Sequence, residues 1–278
     1  MFKKILIYAA VALIFGAMGA YFFFAQKLYS SNTPGRLCKE VKISLLDSAQ
    51  NRFVTEQEVL EIVDGFTGKS VGKPVSDINT HLIEKLLNQR SAIKESQVSI
   101  TEAGRLLIEI TQRKPVLRIQ SSNGGFYVDE TQYIFPLVPS FTSYVPIVSG
   151  HIPFTLNADH RGMALEDDGN WMGKILELGN YLSSDPFWNS QIEQIYVDAQ
   201  GDIILSPRVG NHKIIFGDLK DIETKFNKLY TFYKNIVPAQ GWDKYSSVNL
   251  KYKDQIICKI NNRGSYEKTD CSHRLGNQ

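Results

Sequence analysis

The sequence predicts an α+β protein in three parts: a single N-terminal transmembrane helix, a small domain of order β-α-α-β-β, and a strand-rich β domain with two helices. Three observations lead there. Ile5–Phe24 are 20 consecutive residues without a charge. Between Glu40 and Gln112 a strand pattern, two helical stripes and a hairpin pattern follow one another. From Gly125 onward short apolar runs dominate, interrupted by two stretches of helical spacing.

Composition narrows the classes. The chain has 278 residues, 43% of them hydrophobic, enough for one or two folded domains. It carries 31 Lys+Arg against 29 Asp+Glu, and setting aside Lys3 and Lys4 leaves 29 of each sign. A body without basic excess argues against nucleic-acid binding, which needs a cationic footprint. The apolar content excludes a disordered chain, and 3 Cys are too few for a disulfide-built scaffold.

As a helix, Ile5–Phe24 spans about 30 Å, the thickness of a bilayer's hydrocarbon core. Tyr21 and Phe22–Phe24 stand at one end, where aromatics favour the interface. A cleaved signal peptide is the competing reading, with Met18-Gly19-Ala20 as its site. The run is longer than a signal core and continues past those small residues, so an uncleaved anchor is expected. Lys3 and Lys4 precede the span while Lys27, Arg36 and Lys39 follow it, so charge does not fix orientation. A four-residue head is easier to retain than the long body, which puts residues 1–4 in the cytoplasm and the body in the periplasm.

Residues 25–37, with Ser30-Ser31-Asn32-Thr33-Pro34-Gly35, read as a linker. Val41, Ile43 and Leu45 alternate with polar residues as a half-buried strand. Thr55 and Glu58 have capping-box spacing, Val54 and Val59 that of a hydrophobic staple, and Val59, Ile62, Val63 and Phe66 form the stripe that follows. A second helix opens near Ser76 or Asp77, with Ile78, Leu82 and Leu86 as its apolar face. Val98 and Ile100, then Leu106, Ile108 and Ile110, form a hairpin turning at Glu102-Ala103-Gly104. The domain is placed at residues 38–116.

Residues 117–260 form the second domain. Gly125–Asp129 and Tyr133–Pro136 read as a hairpin, followed by Val145-Pro146-Ile147-Val148-Ser149-Gly150. Trp171, Ile175, Leu178 and Leu182 mark one helix; Ile222, Phe226, Leu229, Tyr230 and Tyr233 mark the other. Strands centre on Ile195–Val197, Ile203–Leu205 and Ile214–Phe216, with Val248–Tyr252 and Ile256–Ile260 last. Residues 261–278 are a polar tail.

Candidate chemistry is sparse. None of His81, His151, His160, His212 and His273 pair at the spacing of a helical zinc site. Gly65-Phe66-Thr67-Gly68-Lys69-Ser70 has two residues between its glycines where a P-loop has four. Glu166-Asp167-Asp168 reads as a solvated loop, weakly able to hold a cation, and Asp129 as a turn residue. No Gly-x-Ser-x-Gly elbow occurs. Cys258 alternates with Ile256 and Ile260 as a small apolar strand residue; a Cys258–Cys271 bridge is open to an oxidising compartment. No catalytic, metal or cofactor-binding residues are assigned, and a non-enzymatic role is expected.

Residues 38–114 resemble a POTRA domain in size, order and juxtamembrane position. The whole plan resembles the bacterial cell-division family FtsQ, called DivIB in some bacteria. The matching pieces are Gln112-Arg113-Lys114-Pro115, Tyr127-Val128-Asp129, Val145–Gly150, Phe216-Gly217 and Leu250-Lys251-Tyr252. The family's usual hairpin Gly is replaced near Gln132, and the cytoplasmic head is unusually short. The resemblance implies an inner-membrane divisome scaffold at the septum, with small single-span coiled-coil partners of the FtsB and FtsL type and, through them, the septal peptidoglycan synthase. A POTRA-bearing secretion or outer-membrane assembly component would need a β-barrel pattern absent here. A membrane-tethered envelope hydrolase would need a catalytic set.

The partner site is expected on the last strands, at Val248, Leu250, Tyr252, Ile256, Ile257, Cys258 and Ile260. A polar tail follows them, leaving an edge available for strand addition. The resemblance places FtsB docking there and matches Tyr252 to the aromatic of a Leu-Arg-Tyr-like motif. Core packing is the alternative for Tyr252 and Ile256.

Overall fold

The computed structural model describes residues 13–25, 36–47, 51–163, 170–253 and 255–261. Helix α1 covers residues 13–25, with exposed side chains. The rest of the expected span lies outside the described residues, and among those described no helix is long and apolar enough to cross a membrane. Ser30–Gly35, Glu166-Asp167-Asp168, Cys271, His273 and the tail beyond Asn261 also lie outside them.

The body separates into two compact units. The first comprises described residues up to Leu46 together with Thr55–Thr111, and the second Asp47–Val54 together with residues from Gln112 onward. In the first unit β1 (Glu40–Leu45) leads into α2 (Glu56–Thr67) and α3 (Thr80–Asn88), then β2 (Ile93–Ile100) and β3 (Arg105–Gln112). The two helices and β2 lie between β1 and β3 in the chain, and those strands pair in parallel, Val41 opposite Leu106 and Ile43 opposite Ile108. β3 is the middle strand, and its inward residues Leu106, Ile108 and Ile110 are fully buried. The expected capping box is present: the Thr55 amide donates to Glu58 Oε2 at 2.9 Å, and the Glu58 amide to Thr55 Oγ1 at 3.2 Å.

The second helix corrects the sequence reading. Ser76 and Asp77 belong to a 3-10 turn, Val75–Asp77, and α3 begins later, capped by Asn79, whose Oδ1 accepts the Leu82 amide at 3.0 Å. Glu84 Oε1 accepts the Val98 amide at 2.8 Å, and Ser96 Oγ donates to Asn88 Oδ1 at 2.9 Å. These bonds turn residues 84 and 88 toward β2, so Ile83 and Leu87 fill the core while Leu82 is 39% exposed. The adjacent stripe Leu82–Leu86 has the same spacing, which is why periodicity alone selects the wrong one.

The described residues of the second unit build one ten-stranded sheet of order β13-β12-β11-β10-β9-β7-β4-β5-β6-β8. Its first strands are β4 (Pro115–Ser121), β5 (Gly124–Asp129), β6 (Tyr133–Pro136), β7 (Ile147–Gly150) and β8 (Gly162–Met163). Then come α4 (Trp171–Ser184), α5 (Pro186–Gln191), β9 (Ile192–Val197), β10 (Ile203–Pro207) and β11 (Lys213–Gly217). The chain continues through α6 (Ile222–Asn235), α7 (Val237–Gln240), β12 (Tyr245–Asn249) and β13 (Ile257–Ile260). Two helices are expected here, and the described residues contain four. The short α5 is set by Pro186 at its first turn and by Asp185 Oδ1, which accepts the Phe187 amide at 2.8 Å. Residues on α4 and α6, among them Ile175, Leu178, Phe226 and Leu229, join Leu117, Ile119, Ile195 and Phe216 of the sheet in one core.

Two motifs that the sequence keeps apart meet at the start of this unit. Asp129, at the end of β5, is 1% exposed. Its Oδ1 accepts Thr131 N at 2.9 Å, Thr131 Oγ1 at 2.6 Å and Tyr133 N at 3.0 Å, while Oδ2 pairs with Arg113 Nη1 at 2.7 Å. The Arg113 guanidinium lies over the Tyr133 ring, 3.4 Å from its centroid. The turn leaves Gln132 at φ 66°, the left-handed position that favours glycine. Gly150 is fixed more firmly: at φ 100°, an added Cβ would stand 2.2 Å from Val197 O.

Asp47–Val54, assigned to the first domain from sequence, group with the second unit, and Asp47 and Asn51–Val54 are the described residues among them. Phe53 is 2% exposed and meets Tyr127, Phe135 and Phe141 edge-on, at centroid distances of 5.4, 5.7 and 4.9 Å. The buried Gln112 side chain holds the segment, donating to Asn51 O at 2.8 Å and accepting the Val54 amide at 2.9 Å.

Ile83→Asp should destabilise the first unit by about 3 kcal/mol or more, and Leu82→Asp by less than about 1 kcal/mol, in urea unfolding followed by circular dichroism. Equal losses would mean that Leu82 shares the buried face. Asp129→Ala, which takes the carboxylate from Arg113 and strands three donors, should cost about 3–5 kcal/mol in the same assay; a loss below about 1 kcal/mol would remove the pair's structural role.

Candidate functional site

β13 is the terminal strand of the sheet, paired on one side with β12 and with no strand beyond it among the described residues. Its register sets Val248 opposite Cys258 and Asn249 opposite Ile257. Alternation divides its side chains between two faces, Cys258 with Ile260 and Ile257 with Lys259. Cys258 is half-buried, and burial raises its thiol above the ordinary range. It is not bridged to Cys38, whose side chain is 1% exposed.

Beside this edge runs an open apolar groove of about 430 Å³. Phe232 and Ile236 form its wall toward α6, and Tyr245, Ile256 and Cys258 its wall toward the last strands. Phe232 and Tyr245 rings pack edge-on, 5.4 Å between centroids. The connection between β12 and β13 is held to the helix by Lys228, whose Nζ donates to the carbonyls of Leu250 and Tyr252. On the other side Lys251 pairs with Asp202 of the loop before β10.

The expected partner residues are thus of two kinds. Val248 and Leu250 are fully buried and serve the core, so neither offers a side chain to a partner. Ile256 and Cys258 face the groove, while Ile257 is 45% exposed, Tyr252 47% and Ile260 58%. Tyr252 lies in a bend after β12 rather than in a strand, because β12 starts at Tyr245 and ends at Asn249. The groove wall of Phe232 and Ile236 was not anticipated. The signal was present in Ile236, an apolar residue at the end of α6 and outside its buried stripe.

The C-terminal end of α6, which walls the groove, is braced by a buried aromatic cluster. His212 is 3% exposed, its Nε2 lies 2.8 Å from the Tyr233 hydroxyl, and its ring stacks on Trp242 at 6.2 Å. Burial pushes the His212 imidazole below its usual value and the Tyr233 phenol above its own. His81 is on the surface, 3.8 Å from Glu84. Among the described residues no three His, Cys, Asp or Glu side chains are grouped to hold a metal ion. The arrangement offers backbone hydrogen bonding along an edge and an apolar trough beside it, which are the means of binding a polypeptide.

Comparison with known proteins gives two matches. A family model described as FtsQ/DivIB, C-terminal related, covers residues 114–259, just over half of the chain. A model described as a POTRA-like domain covers residues 36–111. No curated protein matches the chain significantly.

The depressed His212 pKa means that the unfolded chain takes up a proton more readily than the folded one below pH 6.5. Stability of the second unit should therefore be fully present above that pH and fall as acid approaches the lower folded value. His212→Gln should flatten the dependence. Urea midpoints between about pH 8 and 5 check this, and a midpoint rising on acidification would contradict it.

Proposed function

Because the chain belongs to the FtsQ/DivIB C-terminal-related family, we propose that it serves cell division as a non-enzymatic scaffold. Anchored by Ile5–Phe24 with its body in the periplasm, it recruits division membrane proteins and couples them to septal peptidoglycan synthesis. Its direct partners are small single-span coiled-coil proteins of the FtsB and FtsL type. Through them it reaches the septal synthase.

The observation that carries this reading is the end strand β13 beside an apolar groove. Unpaired N–H and C=O groups on such an edge accept one further strand, and the groove receives apolar side chains next to it. Exposed Ile257, Ile260 and Tyr252 lie along the same border. Binding by strand addition also suits a scaffold, since affinity comes from the backbone and specificity from a few side chains.

Crosslinking the intact protein in dividing cells should capture small coiled-coil membrane proteins. Tyr252→Ala and Ile257→Asp, each half-exposed and outside the core, should weaken that capture by about 1–3 kcal/mol without lowering the melting temperature. Unchanged affinity in both folded variants would move the site elsewhere, and capture of outer-membrane barrels instead would replace the division role with an assembly role.

A further inference from the structure

A second concavity lies in the same unit, on residues that the partner edge does not use. It has a volume of about 150 Å³, the space of a group of about six heavy atoms. Arg118 of β4 and Arg208, just after β10, both line it. Among the described residues neither guanidinium forms an ion pair. Arg118 is half-buried; its Nε is buried without a hydrogen-bond partner, and its Nη2 has Gln120 Oε1 at a long 3.4 Å. A buried guanidinium N–H left without an acceptor is costly unless something supplies one.

The backbone around the concavity is held in place. The Arg118 amide donates to Pro146 O at 3.0 Å, the Arg208 amide to Gln191 O at 2.7 Å, and the Ser143 amide to the Tyr127 hydroxyl at 2.9 Å. The Arg208 guanidinium is also stacked on Tyr144, 4.8 Å from the ring centroid. Backbone hydrogen bonds thus tether Arg118 within β4 and Arg208 just beyond β10.

The geometry points to a binding site for a carboxylate carried on a short aliphatic stem. The guanidinium fork matches a carboxylate in a bidentate pair, and Asn189 supplies a further amide at the rim. Val145, Ile147 and Ile192 give the stem apolar walls. Glu193 also lines the pocket, which lowers the local charge to one net positive. That balance suits a monoanion and disfavours a phosphate dianion. The carboxylate comes either from a free acid or from an acidic side chain of a polypeptide.

The test uses the full-length chain in detergent, labelled at arginine, with the Nε–H resonances of Arg118 and Arg208 followed by nuclear magnetic resonance. It is titrated separately with glutarate, with a blocked peptide containing one glutamate, and with inorganic phosphate. Saturable shifts with glutarate alone support the site and assign a free acid; tighter saturation by the peptide supports it and assigns a polypeptide. Arg208→Gln, a change at an exposed side chain, should weaken binding by about tenfold, and Arg118→Lys should do so while keeping the charge. The proposal fails if neither carboxylate gives a saturable shift up to roughly 10 mM, if phosphate binds as tightly, or if Arg208→Gln leaves the affinity unchanged.

Discussion

The second unit depends on the buried pair of Arg113 and Asp129. A carboxylate that is almost wholly out of water must meet its charge and lone pairs locally, and Asp129 does so with one guanidinium and three donors from the turn it begins. The result is more than a closed hairpin. Arg113 lies two residues before β4, so the pair fixes where that strand enters, and β4 then aligns β5 on one side and β7 on the other. From β7 the order passes to β9 and along the sheet to the terminal strand. A local electrostatic requirement thereby sets the starting register of a sheet whose far edge is the candidate binding edge.

Much of this was legible in the sequence, and the exceptions have physical causes. The stripes of α4 and α6 and the alternation of β3 identify those elements correctly, because each buries one face only. β4 escaped recognition although it lies well inside the sheet. It begins at a proline, and Val116, Leu117 and Ile119 are all buried, so no clean alternation betrays it. The face of α3 was misread because two parallel stripes of leucine and isoleucine compete, and tertiary hydrogen bonds from Glu84 and Asn88 decide between them. The insertion of Phe53 among Tyr127, Phe135 and Phe141 joins positions far apart in the chain, which no local pattern can report.

The candidate site shows the same division. That the last strand would end the sheet follows from the polar sequence after it, and the structure has β13 at that end. Which side chains remain available does not follow, because alternation says that residues differ in face and not which face is covered. Val248 and Leu250 answer to the core, and Tyr252 falls in a bend held by Lys228. The wall contributed by Phe232 and Ile236 belongs to a helix earlier in the chain. An edge and groove of this kind are a property of the assembled layer of helix and strands, whereas a motif records only one of their contributors.

The segment carrying Phe53 bears on how such proteins diversify. β1 before it and α2 after it belong to the first unit, yet the aromatic it delivers completes a cluster of the second. A recombination event with one breakpoint near Gln112 would join a second unit to a first whose loop had evolved against a different cluster. The graft would inherit a cavity or a clash where Phe53 now sits. Selection would then favour exchange of both units together, or compensating changes at Tyr127, Phe135 and Phe141. What looks in sequence like a simple succession of two modules is thus an interleaved one, with Phe53 counted in the second unit between elements of the first.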